Sequence, residues 1–429
     1  MPDPVHYKGT VNGERSTFAD AILNGAPPGG GLYVPETIPE VELVPTADFV
    51  DLATRLLEPW IGNSLSHEDQ KAISASAFTF DVPILRLPPD SPFDSLVIEL
   101  SHGPTGSFKD FGARWLARAL STLLEKIEGQ RRVIVATSGD TGSAVADAFA
   151  GLDKVDVVLL FPANGVSDMQ RRQLTARREG VTVFEVDGDF DDCQALVKRA
   201  LMMTNLPVPT TSANSINVGR LLPQMSYYAY AAMQMDPQPV FVVPSGNLGN
   251  LAAGILANRA LNLNARFVAA HNANESMVRF LRGDEVNQAT IQTISNAMDV
   301  GSPSNLDRIL RLMSLEEARD TIKAVSLTDT ETIEVMRQSF RTTGYVCDPH
   351  TAIGLGALSR FTNTGNTAVL STAHPAKFPE LVKLATGSIV PVPESLEGSL
   401  VGDASCRHCG STGEEFFDFV SNVDLTSNT

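Results

Sequence analysis

The chain has 429 residues, of which 43% are hydrophobic and 19% charged, so it holds enough apolar side chain to offset its ordering entropy in about two or three domain cores. Its 33 Lys and Arg against 50 Asp and Glu leave a formal net charge of −17, with no long basic stripe to neutralise phosphates along a nucleic acid or an anionic bilayer. Nucleic acid and membrane are therefore not expected as partners, and a disulfide-stapled miniprotein or a disordered chain is excluded.

The first eighteen residues carry charges and prolines where a signal peptide needs an apolar run, and no later run approaches about 18 apolar residues. A cytoplasmic location is expected. Residues 1–92 read as an N-terminal extension domain, because proline-rich text from Val82 to Phe93 marks a boundary. From Arg132 short β-branched runs alternate with helical patterns, which predicts parallel sheets with crossover helices. Val133 to Ala136 is a predicted strand, followed by the turn Thr137 to Gly142 and a helix over Ser143 to Ala150. Strand Val155 to Phe161, a helix opened by Ser167 and Asp168 and stopped by Gly180, and strand Val181 to Val186 come next.

The same grammar returns at Val240 to Val243, with a glycine-rich turn at Pro244 to Gly249 and a helix from about Leu251. Thr328 and Glu331 form a predicted capping box, and Ala368 to Leu370 a last strand. The fold class is α/β with two lobes, interleaved in sequence: a smaller lobe over 93–235 and a larger one over 236–400. Residues 401–429 are expected to be a peripheral tail onto which Phe416, Phe417 and Phe419 could dock. Its Cys406 and Cys409 have metal-ligand spacing around His408, but no second pair completes a four-ligand set, so a reduced tail without metal is expected.

Five constellations carry possible chemistry. In HGPTGSFKDF, His102 to Phe111, Lys109 stands between Phe108 and Phe111; a desolvated lysine loses proton affinity and becomes a nucleophilic amine. The pattern is not a phosphate-binding P-loop, since Ser107 and Phe108 separate the last glycine from the lysine. TSGDTGS, Thr137 to Ser143, and SGNLG, Ser245 to Gly249, each follow a strand and open a helix, where free backbone amides favour an anion. ANSINVGR, Ala213 to Arg220, adds neutral donors and a guanidinium fork suited to a second phosphate. STAHPAKF, Ser371 to Phe378, places Thr372 just past the carboxyl end of a strand, where open α/β sheets bind ligands. An ordinary turn, cap or surface residue explains each of these alone.

With all five in order, and with GGGLYVPE at Gly29 to Glu36, the chain resembles the long bacterial and fungal threonine synthases. These belong to the fold type II pyridoxal-phosphate enzymes, together with serine/threonine dehydratases and the tryptophan synthase β subunit. The resemblance runs from GGGLYVPE to STAHPAK and implies two open twisted-sheet lobes behind an N-terminal domain.

The resemblance also implies roles. Lys109 would form the covalent link to pyridoxal 5'-phosphate and act as the catalytic base. Gly246, Asn247, Leu248, Gly249 and Asn250 would hold the cofactor phosphate, and Thr372 the pyridine nitrogen. Asp140, where plant-type relatives carry Asn, would face the cofactor's phenolic oxygen and share a proton with it. Thr137 and Ser138 would bind the substrate carboxylate, and Thr141, Asn214, Ser215 and Arg220 its phosphate. The implied reaction converts O-phospho-L-homoserine and water to L-threonine and phosphate by γ-elimination and β-addition. A related lyase, a dehydratase or amino-acid phospho-lyase, and a non-catalytic phosphometabolite binder remain alternatives. The oligomer is a monomer or homodimer.

Overall fold

The computed structural model describes residues 5–361 and 365–425. The N-terminal module contains a small antiparallel sheet of Tyr7–Gly9 (β1), Arg15–Ser16 (β2) and Tyr33–Pro35 (β3), in the order β2-β1-β3. Besides helix Phe18–Asn24, it contains two longer helices, Phe49–Ile61 and His67–Ala77. Each is opened by a side-chain cap: Asp48 accepts from the Val50 and Asp51 amides, and Ser66 and Asp69 form a capping box. Leu52, Leu56, Leu57, Trp60 and Ile61 make one apolar face of helix Phe49–Ile61 and are buried. The Tyr7 hydroxyl donates to the Trp60 carbonyl at 2.7 Å, tying sheet to helix.

The remaining strands are Ile84–Arg86 (β4), Leu96–Glu99 (β5), Arg131–Ala136 (β6), Val155–Pro162 (β7), Val181–Val186 (β8), Thr210–Ser212 (β9), Val240–Pro244 (β10), Arg266–His271 (β11), Ile322–Ser326 (β12), Thr367–Ser371 (β13) and Arg407–Cys409 (β14). They form a six-stranded sheet in the order β12-β11-β10-β13-β5-β4 and a five-stranded sheet in the order β14-β8-β7-β6-β9. All pairings in the two sheets are parallel except β4 with β5. β10 and β7 are buried along their whole length, as strands covered on both faces must be.

Strand order reverses between β10 and β13 in the larger sheet and between β6 and β9 in the smaller one. In open α/β sheets the loops leaving the carboxyl ends at such reversals diverge and leave a crevice. The four loops concerned are Ser245 to Gly249 after β10, Thr372 onward after β13, Thr137 to Gly139 after β6, and Ala213 onward after β9.

The α/β class and the two lobes stand as expected, with several corrections. Strand β4 lies inside the proline-rich segment expected to be a boundary, so a cut at 92/93 would sever an edge strand from its hairpin with β5; an edge position tolerates the flanking prolines. β5 falls within 93–235 yet pairs with β13 in the larger sheet. The helix after β6 spans Asp140–Phe149 and starts three residues early, because Gly139 adopts φ 133° at its N-cap while the Thr137 hydroxyl accepts from the Gly139 and Gly142 amides. The helix after β10 begins at Gly249.

The helix opened by Ser167 spans Asp168–Thr175, well short of Gly180. There the Arg177 amide donates to the Asp403 carbonyl at 2.9 Å, so the tail takes over a backbone donor that further helix would have used. The tail itself is structural. β14 extends the smaller sheet beside β8, and helix Glu414–Asn422 buries Phe416, Phe419 and Val420 against Phe184. Phe417 is half-buried under the Arg199 guanidinium. Cys409 is buried and reduced within β14, and Cys406 is exposed. β13 is thus not the last strand. Residues 1–4 and 426–429, in the expected N-terminal domain and tail, lie outside the described residues.

Candidate active site

Lys109 is the first residue of helix Lys109–Lys126, which connects β5 of the larger sheet to β6 of the smaller one. That helix is buried on nearly all sides by Phe111, Ala113, Trp115, Leu116, Leu120 and Leu124, so its start is fixed between the lobes. Asp110, fully buried, accepts from the Thr105 amide at 3.0 Å and hydroxyl at 2.6 Å and thereby folds the HGPT turn onto the helix. The Lys109 side chain is 14% exposed and its Nζ lies 5.0 Å from the centre of the Phe108 ring. Burial lowers its proton affinity, Asp140 opposes this and Lys377 reinforces it, and the result is a pKa of about 8.

One cavity between the sheets is lined by Lys109 and by the SGNLG loop, TSGDTG, Asn214, Ser215, Arg220 and Thr372. Every residue expected to hold cofactor or substrate lines it: Thr137, Ser138, Asp140, Thr141, Asn214, Ser215, Arg220, Gly246, Asn247, Leu248, Gly249, Asn250 and Thr372. In the loop, Leu248 takes a left-handed φ of 59° and no side chain caps the helix Gly249–Ala260, so its first-turn amides are free to meet an anion. Gly246 is required for close approach, since a Cβ there would lie 2.7 Å from Met298 Cα. The Asn250 Oδ1 accepts from the Tyr227 and Tyr228 hydroxyls, each at 2.7 Å, while its Nδ2 is buried without a partner. A buried donor left over at the cavity wall fits an acceptor-rich group such as a phosphate.

A second set of donors adjoins the first. The Asn247 Nδ2 donates to Ser215 Oγ at 2.7 Å, and Asn305 Nδ2 donates to the same oxygen at 3.1 Å. Asn214 donates through Nδ2 to the Ala136 carbonyl at 2.8 Å. Arg220 is buried, and burial lowers its pKa to about 10, which still leaves it a cation. Arg308, absent from the sequence reading, is also fully buried. It donates to the carbonyls of Tyr33, Ser215 and Ile216, joining GGGLYVPE to ANSINVGR.

Three further residues were not singled out in the sequence. His350 lines the cavity; its Nδ1 meets Asp348 Oδ1 at 2.7 Å and its Nε2 accepts from the Ala297 amide at 3.2 Å. The Gln170 Nε2 donates to Asp140 Oδ1 at 3.0 Å. Lys377, with its side chain fully buried, lies with Nζ 2.7 Å from Asp140 Oδ1. Its motif, STAHPAKF, was noted for Thr372 alone, and a lysine in a turn carries no sign of which carboxylate it will face. Burial by itself would raise the Asp140 carboxyl, but Lys377 and Lys109 outweigh this and hold it well below the ordinary carboxylate range. Asp140 thus faces a second amine besides Lys109, a partner that the expectation of a proton shared with the cofactor's phenolic oxygen did not include.

Three family models match the chain: "Pyridoxal-phosphate dependent enzyme" over residues 81–372, "Threonine synthase N terminus" over 6–78 and "Threonine synthase, C-terminal" over 351–415. The threonine synthase of Escherichia coli K12 is 38% identical over 399 residues, covering 89% of this chain and 91% of that protein. The chain belongs to the threonine synthase family. The Haemophilus influenzae threonine synthase is 37% identical over 90% of this chain and 92% of its own length.

Solved threonine synthase structures agree. The Escherichia coli structure superposes with a TM-score of 0.88 at 34% identity, over 96% of this chain and 99% of that one. A PLP-bound threonine synthase from Brucella melitensis also gives 0.88, at 30% identity over 98% of this chain and all of that one. As a threonine synthase family member the chain is a pyridoxal-phosphate-dependent lyase, and the free amides and orphaned Asn250 donor fit its cofactor's phosphate. Among the described residues no helix is long and apolar enough to cross a membrane.

Proposed function

We propose that this enzyme converts O-phospho-L-homoserine and water to L-threonine and phosphate in the cytoplasm. One observation supports the substrate above all: the cavity holds a second donor set, with Arg220 and Ser215, beside the loop suited to the cofactor phosphate. A substrate without a phosphate would not need it.

In this reading Lys109 would carry the cofactor covalently, residues 246–250 would hold its phosphate, and Thr372 would serve its pyridine nitrogen. When bound, the cofactor's conjugated ring supplies a sink for the negative charge left after loss of the substrate's α proton. Lys109, with its lowered proton affinity, takes and returns protons at Nζ. Thr137 and Ser138 orient the substrate carboxylate; Thr141, Asn214, Ser215 and Arg220 hold the leaving phosphate. Asp140, fixed as a carboxylate, sits beside Lys109 at 3.9 Å between Nζ and Oδ2. All these groups come from one chain.

Release of inorganic phosphate from O-phospho-L-homoserine, with threonine formed in equal amount, is the test. Turnover of L-serine or L-threonine to ammonia without phosphate release would instead identify a dehydratase. A protein that binds the cofactor and turns over none of the three would be a non-catalytic relative.

A further inference from the structure

Three segments distant in sequence meet around Lys377. Its Nζ donates to the Thr105 carbonyl at 2.9 Å in the turn that precedes Lys109, and it pairs with Asp140 at 2.7 Å. Asp140 in turn stands 3.9 Å from Lys109. The order is therefore ammonium, carboxylate, ammonium, with the Lys377 and Asp140 side chains 0% and 2% exposed. A buried ammonium is costly unless paired, and pairing Lys377 through Asp140 uses up the carboxylate that would otherwise bind Lys109 most tightly.

We propose that Lys377 is a positioning residue that sets the proton affinity of Lys109, by claiming one oxygen of Asp140 and by its own positive charge. The proposal rests on the reading of Lys109 as the cofactor-bearing amine. Without Lys377 the carboxylate would keep only the neutral Gln170 amide and Lys109 as partners, so Lys109 would be its one cationic contact, held more strongly in the protonated, unreactive form. Lys377 also joins the lobes, since it follows β13 of the larger sheet while Asp140 opens the helix after β6 of the smaller one.

The other charged groups near Lys109 do not take this part. Arg220 is a cation throughout the working range. The Asp348 carboxylate is engaged by His350 and by the Thr351 hydroxyl. Asp110 is engaged by the Thr105 amide and hydroxyl, and His374, near Lys377, has its proton affinity lowered chiefly by burial.

The experiment uses the full-length protein freed of cofactor, with the reactivity of Lys109 followed against pH. Reductive methylation by formaldehyde and cyanoborohydride, read on the Lys109 peptide by mass spectrometry, gives the midpoint. Lys377→Met is expected to move that midpoint upward by about one pH unit, and Lys377→Arg to leave it near the wild-type value. Asp140→Asn is expected to move it downward, because the attraction is lost and the Lys377 repulsion remains. The double variant Asp140→Asn with Lys377→Met should lie between the two single variants.

A folded Lys377→Met protein with the wild-type midpoint overturns the proposal. If that variant does not fold, an unchanged or raised midpoint in Asp140→Asn overturns it equally. Borohydride reduction of the loaded wild-type protein separates this from the underlying reading: cofactor trapped on a residue other than Lys109 refutes that reading, whatever the midpoints in the free protein.

Discussion

The Tyr228 hydroxyl donates to the Asn250 side-chain oxygen at 2.7 Å, and this contact turns the opposite end of the amide, Nδ2, into an unpaired donor at the cavity wall. Tyr227 makes the same contact, so the amide orientation is fixed twice. Asn250→Ala removes the donor, while the two hydroxyls keep second acceptors, the Gln224 side-chain oxygen at 3.2 Å for Tyr227 and the backbone carbonyl of residue 250 at 3.1 Å for Tyr228. A hydrogen bond to a charged group is worth about 1.5–3 kcal/mol, so loss of the Nδ2 donor should weaken cofactor binding about 10- to 100-fold. Tyr228→Phe leaves Tyr227 in place and should cost about threefold or less. Equilibrium titration of the free protein with pyridoxal phosphate, followed by absorbance, measures both; equal affinities for Asn250→Ala and wild type would rule out its part in holding the cofactor.

Cofactor uptake should depend on pH through Lys109. An amine attacks an aldehyde only when neutral, and here burial, with Lys377 assisting and Asp140 opposing, brings the pKa down to about 8. The sign is fixed: the neutral fraction grows as pH rises. The rate at which cofactor-free protein binds pyridoxal phosphate should therefore rise about tenfold per unit up to pH 8 and then level off. Lys109→Ala should give no covalent adduct after borohydride reduction and no phosphate release. A wild-type uptake rate that is flat across that range would show that Lys109 is not the amine that titrates.

What could be read from sequence was local. A β-branched run followed by a glycine-bearing turn specifies a strand, a loop and a helix start within about a dozen residues, which is why Ser245 to Leu248 and Thr137 to Gly139 stand in the expected loops while Asp140, Thr141 and Gly249 already belong to the helices that follow. The capping box of Thr328 and Glu331 was legible for the same reason. The balancing of charge was not. Lys377 lies 237 positions from Asp140 (377 minus 140) and finds it only because β13 and β6 end at the same crevice. Arg308 and Gln170 were equally hidden, since their partners come from segments far along the chain.

Arg308 provides a test of the link between the N-terminal module and the site. Its guanidinium donates to the carbonyls of Tyr33 at 3.0 Å, Ser215 at 2.9 Å and Ile216 at 2.6 Å, all from a fully buried position. Arg308→Met fills much of the space but leaves those acceptors unpaired, at about 1–3 kcal/mol each if water cannot reach them. A loss of about 3 kcal/mol in denaturant unfolding is expected. Because Ser215 is positioned through the same contacts, KM for O-phospho-L-homoserine should rise more than kcat falls. A drop in stability with KM unchanged would confine Arg308 to a purely structural role.

The tail makes the last prediction. Residues from about Leu400 lack periodicity over any length that sequence reasoning can use, yet they end the smaller sheet. β14 pairs with β8, and the helix behind it packs Phe416 and Phe419 edge-on to Phe184 at 5.9 and 5.8 Å between ring centres. The buried Arg132 adds a second tie: it pairs with Asp156 and reaches the Val420 carbonyl at 3.3 Å, with its guanidinium 5.1 Å from the Phe419 ring. Removing the tail would expose the edge of β8 and leave Arg132 without its aromatic cover. Phe416→Ala should lower stability by about 3–5 kcal/mol, the usual range for a large aromatic lost from a core. The cavity lies at the other side of the smaller sheet's order, between β6 and β9, so kcat measured below the unfolding temperature should stay within about twofold. A variant as stable as wild type would show that the tail is bound only peripherally; one that is stable but inactive would show that it reaches the site by a route these contacts do not contain.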